Sequence, residues 1–169
     1  MNFAGNNKHQ ILDFQDLMLF RVHEILLVSS PYDAYILEED GRLTEQILHG
    51  YIGMNFSYAP RLWHAQTAQQ ALNMIDKRKF DLIIIMLRIA DMNSVSLAKK
   101  IKKIHSKTSL FLLAFDESEL TVFRKNEIQH YFDRVFIWSG NSNVFLAIIK
   151  QLEDRKNSPR DINKGEVRA

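Results

Sequence analysis

The sequence predicts an α/β protein: a three-layer, doubly wound, five-stranded parallel sheet with one extra helix at its amino end. Three observations lead there. Short apolar runs of strand length recur along the chain. Each is followed by a segment with apolar residues at three- and four-residue spacing, the mark of a helix that buries one face. The connections are short, and right-handed crossovers between consecutive strands then give a parallel sheet covered on both sides.

Taken in order, Ile11, Phe14 and Met18 have helical spacing over Ile11 to Leu19, an appendage ahead of the first strand. EILLVSS, Glu24 to Ser30, has the length and apolarity of a strand buried on both faces. Pro31 ends it and suits a first helical turn. The helix from Tyr32 is interrupted near Glu38 to Gly41, and Leu43, Ile47 and Tyr51 resume the stripe. After a turn at Pro60, Arg61 to Ala65 reads as a short strand. Thr67 caps the next helix, whose apolar face is Ala68, Ala71, Leu72 and Ile75.

Phe80 to Leu87, FDLIIIML, is the clearest central strand. The helix behind it carries Val95, Ala98, Ile101 and Ile104 as its apolar positions and turns Lys99, Lys100, Lys102 and Lys103 mostly toward water. Ser109 to Phe115 is a further buried strand, and Asp116 to Glu119 has capping-box spacing for the helix after it. Val135 to Trp138 is the last strand. Asn141 or Ser142 then caps a helix with Val144, Phe145, Ile148, Ile149 and Leu152 inward.

The composition narrows function. With 169 residues, 46% hydrophobic and 25% charged, the chain can bury an ordinary core without a metal or disulfide. It contains no Cys, which removes thiol catalysis, cysteine zinc sites and iron–sulfur clusters. The polar start, MNFAGNNKHQ, is unlike a secretory leader, and the aliphatic run Leu82 to Leu87 is too short to span a membrane. A cytoplasmic protein is expected, with no membrane partner. Net charge is +2, but the last fifteen residues hold five basic and two acidic side chains. The rest is therefore slightly acidic, and no nucleic-acid footprint is expected.

Catalytic and metal motifs are absent. His9, His23, His49, His64, His105 and His130 have no ligand spacing, and Gly50 with Gly53 lacks the strand and third glycine of a phosphate loop. No nucleophile elbow is present. Ser29 and Ser30 precede a helix whose N-terminus can attract an anion, but no general base accompanies them. No cofactor is expected. In doubly wound sheets ligands sit beyond the carboxyl ends of the strands, so function is sought there.

From His23 to Asp154, FDLIIIMLRIADMNS and LLAFDESE resemble the third and fourth strands and following loops of bacterial response regulator receiver domains, a flavodoxin-like fold. The resemblance implies an Asp phosphoacceptor ending the third strand, two acids after the first that help hold Mg²⁺, a hydroxyl residue ending the fourth and a Lys ending the fifth. This sequence has Met86, Ser29 with Ser30, Ala114 and Trp138 at those places. A thioether forms no acyl phosphate, and neutral hydroxyls are weak Mg²⁺ ligands. The resemblance therefore implies a pseudo-receiver, not competent for Asp phosphorylation. Asp33, Asp91 and Asp116 lie near the same edge as candidates for a relocated oxygen-ligand metal site, although each also suits a helix or turn position. Met86, Phe115 and Trp138 turn a polar pocket into an apolar one, either plugged by its own side chains or open to a partner, with Trp138 as the candidate contact.

VSSPYDAYILEEDGRLTE, SYAPRLW, MLRIADM, LLAFDESEL and FIWSGNSNVF are similar to a narrower group. These are the amino-terminal receiver-like modules of bacterial multidomain proteins related to phosphoenolpyruvate synthase and pyruvate phosphate dikinase. That resemblance implies a regulatory module over residues 21–154, a helical extension over 1–20, and a polar linker over 155–169 leading to domains that carry any ATP-dependent kinase activity. The fragment itself is then not an enzyme. Its expected partners are other proteins, neighbouring domains of the same chain, or a second copy. The last would meet it through the fourth helix, fifth strand and fifth helix of the receiver pattern, Glu119 to His130 and Val135 to Leu152. The alternative is a small-ligand sensor, which requires an open crevice near Ser29, Ser30, Met86 and Trp138.

Overall fold

A computed structural model describes residues 19–39, 42–53, 59–140 and 143–158. The helix expected over Ile11 to Leu19 and the caps at Asn141 and Ser142 lie outside these residues, apart from Leu19, which is exposed and not helical. The five strands are β1 (Glu24–Val28), β2 (Arg61–Ala65), β3 (Leu82–Met86), β4 (Ser109–Ala114) and β5 (Arg134–Ile137). They form one parallel sheet in the order β2-β1-β3-β4-β5. The helices are α1 (Pro31–Glu39), α2 (Leu43–Gly53), α3 (Ala68–Lys77), α4 (Ser94–Ile104), α5 (Lys125–Tyr131) and α6 (Asn143–Lys156), with a 3-10 helix over Glu117–Val122.

The period of two along the strands sorts the core into two layers. Ile25 and Leu27, Ile84 and Met86, and Phe111 and Leu113 pack with α1, α2 and α6 on one face. Leu26 and Val28, Ile83 and Ile85, and Leu110 and Leu112 pack with α3, α4 and α5 on the other. The central strands β3 and β4 are buried at every position, which is why they read as unbroken apolar runs.

The break expected within the first helix separates α1 from α2, and Arg42 takes φ +43° as the chain enters α2. Thr67 caps α3 by accepting from the Gln70 amide. Two details differ from the sequence reading. In α4 the buried face is Ser94, Leu97, Ala98 and Ile101, while Ile104, the last helical residue, is 65% exposed. Lys102 does not reach into water: its Nζ donates to the Thr108 carbonyl at 2.8 Å and to Asp133 Oδ2 at 3.1 Å.

Helix α6 continues to Lys156, two residues into the stretch expected to be linker. Asn157 accepts from the Phe20 amide at 2.6 Å and donates to its carbonyl at 3.0 Å. Glu153, buried, accepts from the Val22 amide, the Tyr51 hydroxyl and Arg21. The chain entering β1 and the end of α6 are thus tied by side chains 131 or more residues apart.

Candidate functional site

The carboxyl ends of the strands are built from side chains that local structure has already engaged. Ser29 is completely buried beyond β1, its amide donating to the Ala65 carbonyl and its Oγ lying 2.9 Å from His64 Nε2. Ser30 is the cap of α1, its Oγ accepting from the Asp33 amide at 3.0 Å. Both hydroxyls are therefore committed within the protein.

Met86 ends β3 at 1% exposure, and its carbonyl accepts from Ser94 Oγ at 2.8 Å. Ala114 ends β4, equally buried, and its carbonyl accepts from the Trp138 amide. Trp138 itself is buried and meets Phe115 edge-on, ring centroids 5.3 Å apart. Met86 and Trp138 share one apolar cluster with Phe115 packed against it. The crevice is thus plugged by its own residues: Trp138 is core rather than an exposed contact. The ligand-sensing alternative requires an open crevice, whereas Ser29, Met86 and Trp138 are buried at this edge.

The three acids singled out in the sequence do three different jobs. Asp91 accepts from the Ala68 and Gln69 amides at the start of α3, at 2.8 and 3.0 Å, and these bonds hold its carboxyl below the usual carboxylate range. Asp116 caps the 3-10 helix through the Ser118 amide, with the same effect on its carboxyl. Asp33 faces inward at 1% exposure, and burial pushes its carboxyl up against the opposing influence of Ser30 and Arg88. Among the described residues no three His, Asp or Glu side chains are grouped to hold a metal ion, Asp33, Asp91 and Asp116 included. Two of the three already accept helix-start amides.

Two charged groups not anticipated as site residues complete the edge. Arg88 stands 3.8 Å from Asp33 Oδ1 and donates to Glu119 Oε1 at 2.7 Å, with its guanidinium 5.9 Å from the centre of the Phe115 ring. The Glu119 hydrogen bond is the main cause that pushes the Arg88 guanidinium further up. Glu119 Oε2 in turn accepts from the Phe115 amide at 3.0 Å. The capping-box spacing at Asp116 to Glu119 thus closes on the residue before the cap. A cation two residues behind a strand of five buried apolar residues was the available signal for Arg88.

No family profile and no curated protein matches the chain. Solved structures do match it in fold. The signal receiver domain of an HD domain-containing protein from Pseudomonas fluorescens Pf-5 superposes with TM-score 0.61 at 21% identity, covering 85% of this chain and 96% of that one. A CheY-like receiver domain from Methanospirillum hungatei JF-1 gives 0.57 at 22%, covering 80% and 96%. Response regulator TrrA from Thermotoga maritima, in complex with Mg²⁺–BeF, gives 0.58 at 18%, covering 77% and 98%. The five-stranded parallel sheet with its flanking helices is the fold of response regulator receiver domains. No helix among the described residues is long and apolar enough to cross a membrane.

Proposed function

We propose that the chain is a pseudo-receiver: a regulatory module of signal transduction that works through protein contact and does not accept a phosphoryl group on Asp. The observation that carries this reading is Met86, a buried thioether at the end of β3, packed in one apolar cluster with Trp138. An acyl phosphate needs a carboxylate nucleophile reachable by the donor and a cation for the phosphoryl oxygens. Ser29 and Ser30 supply neutral oxygens already in hydrogen bonds, and Ala114 offers no hydroxyl.

The test is intact mass after incubation with acetyl phosphate and Mg²⁺. The expected result is an unchanged mass; a stable phosphoryl adduct on any Asp overturns the reading.

Similarity of several segments to modules of phosphoenolpyruvate synthase-like proteins supports a place in a cytoplasmic, multidomain bacterial protein, any kinase chemistry belonging to other domains. The contact surface we favour is the groove between the 3-10 helix, α5 and β5, and its occupant is a second copy of this chain. Leu120, Phe123, Ile128, Val135 and Ile137 line a cavity of about 700 Å³ there. Val122 beside it is 81% exposed. The same groove carries Glu117 and Lys125, so two copies related by a two-fold axis can pair acid with base in both directions.

A further inference from the structure

We propose that Arg88 is the resident cation at the edge of the strand-end crevice: its half-exposed guanidinium takes the place beside Asp33 and Glu119 that a divalent cation would otherwise take. Asp33 is the starting point. Its place three residues after the cap Ser30 is one from which a carboxylate ordinarily reaches back to the cap's amide. That amide is taken, donating to the Arg88 carbonyl at 3.0 Å. Neither Asp33 oxygen has a hydrogen-bond partner, and both are buried.

A buried carboxylate without hydrogen bonds requires a counter-charge. Arg88 supplies it at 3.8 Å and is itself anchored to Glu119 at 2.7 Å. One residue therefore joins three loops: those leaving β1 through its carbonyl, β3 by its own position, and β4 through Glu119. The planar guanidinium spreads its donors toward two carboxylates at once, which a Lys ammonium cannot match in geometry. Without it, two carboxylates face a common space with no positive charge between them, and two hard anionic oxygens favour Mg²⁺ or Mn²⁺.

This inference goes beyond the functional reading and fails separately from it. Phosphoryl acceptance concerns Met86 and its surroundings; cation response concerns Arg88. The experiment is thermal unfolding of the full chain, titrated with MgCl₂ or MnCl₂, for wild type, Arg88→Ala, Arg88→Gln and Arg88→Gln combined with Asp33→Asn. Wild type is expected to keep its midpoint. Both single variants are expected to gain several degrees in a saturable manner, and the double variant to lose that gain. Should Arg88→Ala not fold, Arg88→Gln carries the test, since a neutral amide fills much of the same space. Mn²⁺ broadening of the Asp33 and Glu119 amide resonances in Arg88→Gln, absent in wild type, locates the ion. A wild type that itself responds, or Arg88 variants no more responsive than wild type, overturns the proposal.

Discussion

Asp33 shows how one buried side chain can make stability depend on pH. Its carboxyl is raised in the fold by burial, so the folded chain binds that proton more tightly than the unfolded chain. The contribution is therefore fully present below the unfolded carboxyl range and is lost as pH rises through the folded value. Asp33→Asn removes the titration. Its stability relative to wild type is expected to improve between about pH 3.5 and pH 7, read as the difference in urea midpoints at the two ends. A constant difference across that range would mean that Asp33 is ionised alike in both states. Arg88 was legible in the sequence only as the charge that stops an apolar run, because its partners come from α1 and from the 3-10 helix, 55 and 31 residues away.

At the scale of elements, α6 is the clearest case of a helix whose end is set by tertiary contacts. Composition turns polar after Asp154, which reads as a linker, yet the helix continues to Lys156 because Glu153 and Asn157 hold the chain entering β1. Glu153→Ala would leave the buried Val22 amide without its acceptor and remove the Glu153 contacts of Arg21 and Tyr51. It is expected to lower stability by about 1–3 kcal/mol, measured by denaturant unfolding. Glu153→Gln keeps an acceptor oxygen and should cost less. The strands, by contrast, were readable to within two residues at each end. Burial on both faces demands continuous apolar runs, and β3 and β4 supply them without interruption.

For the whole molecule, the sheet order β2-β1-β3-β4-β5 leaves β5 at an edge, where Val135 lines the groove and is partly exposed and Val122 is more exposed still. If that face joins two copies, Val122→Asp with Val135→Asp should convert a sedimenting dimer to monomer without moving the unfolding midpoint by more than a few degrees. A wild type that remains monomeric at high concentration removes the second copy as occupant. The surface reading and the chemical reading are independent, because the groove lies on the 3-10 helix, α5 and β5 while the plugged crevice lies at the ends of β3, β4 and β5.

The layer architecture and the residue types at the strand ends are legible in local pattern alone. Periods of two and of three to four are local consequences of which face is buried, and Ser29, Ser30, Met86, Ala114 and Trp138 can be read directly at the ends of apolar runs. What those residues do together follows from the contacts made when the sheet assembles. Whether Trp138 is core or contact depends on Phe115 packing against it, and whether Asp33 is a helix-start charge or a buried one depends on Arg88 reaching it from another loop. Burial and long-range ion pairing are properties of the assembled sheet, so no window of sequence contains them.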